Sequence, residues 1–169
     1  EDRLHDAEPL LRGRLRDAPT DVAAIRMMAE LAARIGRLKD SEALLRRALE
    51  LAPSFGVARA NLATVLYKQN RFPEALEQLD AVLAEEGNNP AQQNLKAAAL
   101  GRIGGYEEAI GLYKDLIERF PDHAKLWMSY GHMLQAVGEQ DASVAAYRRA
   151  LDVQPALGEG METAVASIS

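Results

Sequence analysis

Cysteine is absent from the 169-residue chain. No disulfide framework and no thiolate metal site can therefore exist, and packing alone must hold the fold. Aromatic residues are scarce at 5%, although 48% of the chain is apolar. The core must then come from Ala and Leu, the composition of closely packed helices, and an all-β fold is disfavoured. Positive charge is in deficit: 20 Lys and Arg stand against 25 Asp and Glu, giving a net charge of −5. The field of the whole chain opposes nucleic acid and anionic membranes, and neither is an expected partner. No apolar run approaches the length of a membrane span, and no basic-then-apolar leader is present. These absences fit a cytoplasmic location. The first residue is Glu1 rather than Met, which points to a piece excised from a longer protein.

What the sequence does hold is a repeat. Pro19, Pro53, Pro121 and Pro155 lie on one 34-residue grid, with Gly87 at the remaining point. Proline cannot continue a helix, so each marks a helix end. Seventeen residues after each of the first four grid points come Gly36, Asn70, Gly104 and Gly138. Gly and Asn enter the left-handed conformation cheaply, as a helix C-terminus requires. Between these breakers the apolar residues follow helical spacing, as in Ile25, Met28, Leu31, Ala32 and Ile35. Each unit is thus a helix, a tight turn and a second helix. Pro73 and Pro90 fall at helix starts, where the missing N–H costs nothing. At the point where the paired helices should cross, the residues are small: Ala29, Ala63, Ala97 and Gly131 on the first helix, Ser41, Ala75, Ala109 and Ser143 on the second.

This pattern resembles the tetratricopeptide repeat. The last unit carries Trp127, Gly131, Leu134, Gly138, Tyr147, Ala150 and Pro155 on the family's signature positions, and the third shares Gly104, Tyr106, Ala109, Tyr113 and Pro121. The resemblance implies an all-α solenoid, a right-handed superhelix of stacked antiparallel helix pairs. Over 1–169 it gives a single array: a lone second helix at 1–18, full repeats at 22–55, 56–89, 90–123 and 124–157, and a partial, fraying first helix at 158–169. The stretch from Asn94 to Leu151 is also similar to the repeat region preceding the catalytic domain of bacterial sulfotransferases. That implies an accessory region recruiting a substrate or dimerising an enzyme. The ending GEGMETAVASIS departs from that family's aromatic-rich pattern, and no basic Gly-Ser/Thr phosphate loop occurs.

In such an array the first helices line the concave face. The inward positions are Arg26, Met27, Glu30 and Arg34; Asn61, Thr64, Tyr67 and Lys68; Asn94, Leu95 and Arg102; Lys125, Met128, Ser129, His132 and Gln135. This surface is formally positive although the chain is negative, which suits a peptide or protein partner of acidic character. Arg34, Lys68 and Arg102 have a plainer explanation, since a cation near a helix C-terminus is stabilised by the helix dipole. Arg26, Lys125, Asn61 and Asn94 are less easily explained that way. Chaperone-binding members of the family clamp a C-terminal carboxylate with Lys and Asn. Here Asn61 fits and Arg26 fits loosely, but Glu30, Ala91 and Leu95 stand where the clamp needs other residues. Array ends without a polar cap favour a homodimer.

Catalytic chemistry is not expected. His5, His123 and His132 lack metal-ligand spacing. Glu85–Glu86 and Glu107–Glu108 are adjacent, so on a helix they diverge and read as solvated faces. Gly104-Gly105 lacks the Lys-Ser or Lys-Thr of a phosphate loop. Trp127 and Tyr130 read as core aromatics against the second helix, and the methionines divide between core and groove. No metal and no cofactor is implied.

Overall fold

A computed structural model of the chain describes residues 2–158, without the side chains of residues 2–6 and Glu86. The side chain of His5 is therefore not described, and the expected helix beyond residue 158 lies outside the described residues. Among those described, nine helices follow one another: α1 Asp2–Asp17, α2 Val22–Arg34, α3 Leu38–Leu51, α4 Gly56–Lys68, α5 Phe72–Glu86, α6 Pro90–Arg102, α7 Tyr106–Arg119, α8 Ala124–Ala136 and α9 Gln140–Val153. The all-α class is as expected, and the chain divides into two compact units, residues 1–92 and 93–169.

The turn inside each helix pair is built the same way. The backbone is left-handed at Gly36 (φ 80°), Asn70 (φ 60°), Gly104 (φ 85°) and Gly138 (φ 86°). After α2, the Gly36 N–H donates to Ala33 O and the Arg37 N–H to Ala32 O, at 3.3 and 2.8 Å. The same two bonds recur at Asn70 and Arg71 after α4 and at Gly138 and Glu139 after α8. This double bond satisfies helix carbonyls that would otherwise be orphaned, and it needs a residue tolerant of positive φ. Helix starts are marked differently. The Asp21 carboxylate accepts from the Ala24 N–H at 3.0 Å and from Arg14 Nε at 2.8 Å, and Asn89 Oδ1 accepts from the Ala91 N–H at 3.0 Å. Asp21 is held below the usual carboxylate range by the Ala24 N–H first and the Arg14 guanidinium second.

In the first unit the core runs through Ile25, Ala29, Leu45, Ala48, Ala58, Leu62 and Leu66. Ala29, Ser41, Ala63 and Ala75 are fully buried at the crossings, as their size requires. Each fully buried Leu or Ile contributes about 1.5–3 kcal/mol of transfer free energy. In the second unit Ala97, Ala109, Gly131 and Ser143 take the corresponding places. Tyr147 lies so close over Gly131 that an added Cβ would come within 2.6 Å of its ring. Ser143 Oγ donates to Gly131 O at 2.9 Å, whereas the equally buried Ser41 Oγ has no partner.

Two expected core aromatics differ from the sequence reading. Trp127 and Tyr130 are only half-buried. Trp127 Nε1 donates to Pro121 O at 2.8 Å, and its ring meets Tyr130 edge to face. A carbonyl in the turn before α8 thus draws the indole toward the surface. Pro9 lies inside α1, a position to which sequence patterning gave no weight.

Candidate functional site

Arg26, Glu30 and Arg34 occur one turn apart on α2, which sets them on a single stripe of the helix. Glu30 joins them: Arg26 Nη1 donates to Glu30 Oε2 at 3.1 Å and Arg34 Nη2 to Glu30 Oε1 at 2.7 Å. Across from this stripe, Asn61, Thr64 and Lys68 share one face of α4. Glu30, Arg34, Asn61, Thr64 and Lys68 together line a cleft of about 190 Å³ whose floor includes Ser41, Leu45 and Val65. Five of the eight inward residues expected in the first unit are therefore brought together, while Arg26, Met27 and Tyr67 do not line the cleft. Thr64 Oγ1 donates to Ala60 O of its own helix at 3.1 Å. Lys68 is exposed and forms no ion pair among the described residues. Glu30 offsets one of the two arginine charges on the α2 side, and Lys68 adds a further cation on the α4 side. Tyr67 turns from the groove toward the core, edge to face with Phe72 at 5.4 Å.

In the second unit Asn94, Arg102, Lys125 and His132 are exposed and Ser129 is half-buried. His132 is tied down: its Nδ1 is 2.8 Å from the Tyr147 hydroxyl, and the two rings meet edge to face at 5.3 Å. The same hydroxyl reaches Gln135 Oε1 at 3.1 Å. The expected groove histidine is thus positioned by an aromatic from α9 that sequence spacing assigned only to the repeat signature. His123 is exposed immediately before α8, as expected for a turn residue. Glu108 is engaged by Lys96 at 3.0 Å rather than merely solvated.

The densest charge cluster was missed by sequence reading. Glu42, its side chain 13% exposed, accepts from Arg46 Nε at 2.9 Å, Gln69 Nε2 at 3.0 Å and Arg71 Nη1 at 2.7 Å, while Arg71 also grips Glu74. Burial pushes the Glu42 carboxyl up, but these hydrogen bonds outweigh it and leave it below its ordinary value. Glu74 is lowered chiefly by its hydrogen bonds from Arg71. The 29-residue separation of Glu42 and Arg71 was the only signal available. Among the described residues no group of three His, Asp or Glu side chains could hold a metal, and no helix is long and apolar enough to cross a membrane.

Two family models described as tetratricopeptide repeat match residues 36–99 and 94–158. The chain belongs to the tetratricopeptide-repeat family. One repeat-bearing relative, the TPR repeat-containing protein YpiA of Bacillus subtilis (strain 168), is 24% identical over 135 residues. That match takes in 80% of this chain and 32% of the relative, so the chain spans about a third of its length. Among solved tetratricopeptide-repeat structures, MamA 41-end from Desulfovibrio magneticus RS-1 superposes with a TM-score of 0.85 at 18% identity, over 90% of this chain and 86% of that one. YrrB, described as a TPR protein with an unusual peptide-binding site, gives 0.80 at 19%, over 91% and 79%. At these identities the likeness establishes the fold.

Proposed function

We propose that the chain is a protein-interaction scaffold whose first helices take a peptide or protein partner of acidic character. The observation that carries the reading is the α2–α4 cleft, in which Glu30, Arg34, Asn61, Thr64 and Lys68 converge. A cleft of about 190 Å³ is too small for a cofactor and large enough for a side chain or two of an extended partner. In the second unit, taken by itself, Asn94, Arg102, Lys125, Ser129 and His132 are the corresponding candidate contacts. Partner binding by YrrB is consistent with this use of the fold. The alternative of an accessory region in a sulfotransferase gains no support from the family models or relatives above.

The test is a fluorescence-polarisation titration with two labelled 12-residue peptides, one rich in Asp and Glu, the other in Lys and Arg. The acidic probe should bind preferentially, and Lys68→Glu or Arg26→Glu with Lys125→Glu should each weaken it about 5- to 10-fold at low salt. Equal affinity for both probes, or variants indistinguishable from wild type, would remove the basis for this face.

A further inference from the structure

A second concavity lies on the other side of α2. The residues Met28, Leu31, Ala32 and Ile35 fall opposite the Arg26–Glu30–Arg34 stripe by helical periodicity. Together with Leu15 of α1 and Leu44 of α3 they make the apolar part of a groove of about 810 Å³ between the three helices. Charged groups stand on its rim: Glu8, Arg12 and Arg16 from α1, Arg37 and Asp40 at the start of α3. An apolar cleft of this size with a few polar groups at its margin is the usual form of a binding site.

What the groove would take can be read from the chain's own filled counterpart, 34 residues further on. There Leu66, fully buried, occupies the place of Ala32. Gln69 replaces Ile35 and donates to Glu42, and Arg71 bridges Glu42 to Glu74, closing α3 against α5. At the first position the same closure is not made. Ala32 lacks the bulk of Leu66, and Glu8, the counterpart of Glu42, is held by Arg12 of its own helix at 2.9 and 2.7 Å. Glu42 is held in the same way by Arg46 and still takes Arg71, whereas Arg37, the counterpart of Arg71, meets Asp40 at 2.6 Å and does not reach Glu8. Arg16 is exposed and forms no ion pair among the described residues, and Ile35 is 54% exposed at the lip. Two components present in the counterpart are missing: a branched apolar side chain over Ala32 and a second carboxylate on Arg37, which meets Asp40 alone where Arg71 meets both Glu42 and Glu74.

We propose that this groove docks an amphipathic helix of a partner protein, with Leu- or Ile-type side chains entering over Ala32 and acidic residues facing Arg16 and Arg37. A third helix seated in the crease between two others buries an apolar stripe while its charged flanks meet the rim. The site is separate from the α2–α4 cleft, so partners on the two faces need not compete.

The test uses the whole chain and a labelled 16-residue peptide with Leu at helical spacing and Glu elsewhere, a counterpart with Lys for Glu, and dodecanoate as a non-peptide amphiphile. The Glu peptide should bind wild type, and Ala32→Leu, which copies Leu66 and should leave the circular dichroism unchanged, should weaken it at least about tenfold. Arg16→Glu with Arg37→Glu touches only the rim and should reverse the preference to the Lys peptide. Lys68→Glu, on the other face, should change neither. Undiminished binding to Ala32→Leu, equal binding of both peptides, or dodecanoate filling the groove while the Glu peptide does not, would overturn the proposal. Loss with Lys68→Glu alone would assign the peptide to the α2–α4 cleft and equally overturn it.

Discussion

Gly131→Ala should destabilise the protein although the same change at an open helical glycine should stabilise it. In a helix interior, Gly→Ala gains about 1 kcal/mol from backbone entropy and propensity. Gly111 lies within α7 with nothing within 4 Å of an added Cβ, so Gly111→Ala should realise that gain. At Gly131 the added Cβ would meet Tyr147 Cε1 at 2.6 Å, Cδ1 at 2.8 Å and Cζ at 3.1 Å. These are ring atoms, and the ring is anchored through its hydroxyl at His132 and Gln135. Overpacking of this kind costs about 1–3 kcal/mol, which offsets the propensity gain and leaves a net loss of up to about 2 kcal/mol. Gly101 is the intermediate case, because the neighbour at 2.7 Å is the sulfur of Met133, a flexible side chain that can swing aside. Its substitution should be close to neutral. Urea unfolding followed by circular dichroism, with fluorescence of the sole tryptophan, Trp127, as second probe, would rank the three midpoints. In a Tyr147→Ala background Gly131→Ala should turn stabilising, a coupling of about 2 kcal/mol. If Gly131→Ala raises the midpoint as much as Gly111→Ala, or if the coupling is absent, the steric reasoning fails.

Other expectations follow from single contacts. Ser143→Ala should cost about 1 kcal/mol through the lost bond to Gly131 O, while Ser41→Ala should be neutral or stabilising because the Ser41 hydroxyl is buried without a partner; equal effects in thermal unfolding would contradict this. Glu42→Gln should lower stability by about 1 kcal/mol at neutral pH. Since the Glu42 carboxyl is depressed in the folded state, its contribution is present above the unfolded carboxylate value and lost as pH falls through the folded one. The gap between wild type and Glu42→Gln should therefore close as pH falls below the ordinary carboxylate range and through the depressed folded value, and a gap that persists in acid would refute the electrostatic account. Gly104→Val should cost more than 1 kcal/mol because a β-branched residue is strained at φ 85°, whereas Asn70→Gly should be tolerated; denaturant midpoints would distinguish them.

The turns and crossings were legible in the sequence because each depends on one residue's own stereochemistry. Asn70 and Gly104 adopt positive φ, and Ala29 or Ala97 fits where two helix axes meet, whatever surrounds them. The charged contacts were not legible, because they depend on which helix lies opposite. Glu8 and Arg37 have the same separation as Glu42 and Arg71, and Arg12 holds Glu8 as Arg46 holds Glu42, yet only the second pair closes, beside Leu66 and Gln69 where the first has Ala32 and Ile35. Trp127 was misjudged for a similar reason: the pattern gives an aromatic at a core spacing, but a carbonyl at Pro121 satisfies its N–H at the surface. On the candidate face, spacing selected residues that do converge at the α2–α4 cleft, but it gave no sign that Glu30 already occupies two of the arginines or that Tyr147 holds His132.

The recurrence of one turn at Gly36, Asn70, Gly104 and Gly138 bears on how such a chain can change length. A cut at one of these turns rejoined at the next removes 34 residues while the turn keeps its left-handed residue. Duplication or loss of a whole unit is then nearly invisible to local geometry. A shift of even one residue is not, because it would move a small crossing residue out of the contact and a bulky one into it. The repeat length thus acts as a reading frame for the fold, intact under whole-unit insertion and broken by any fraction of one.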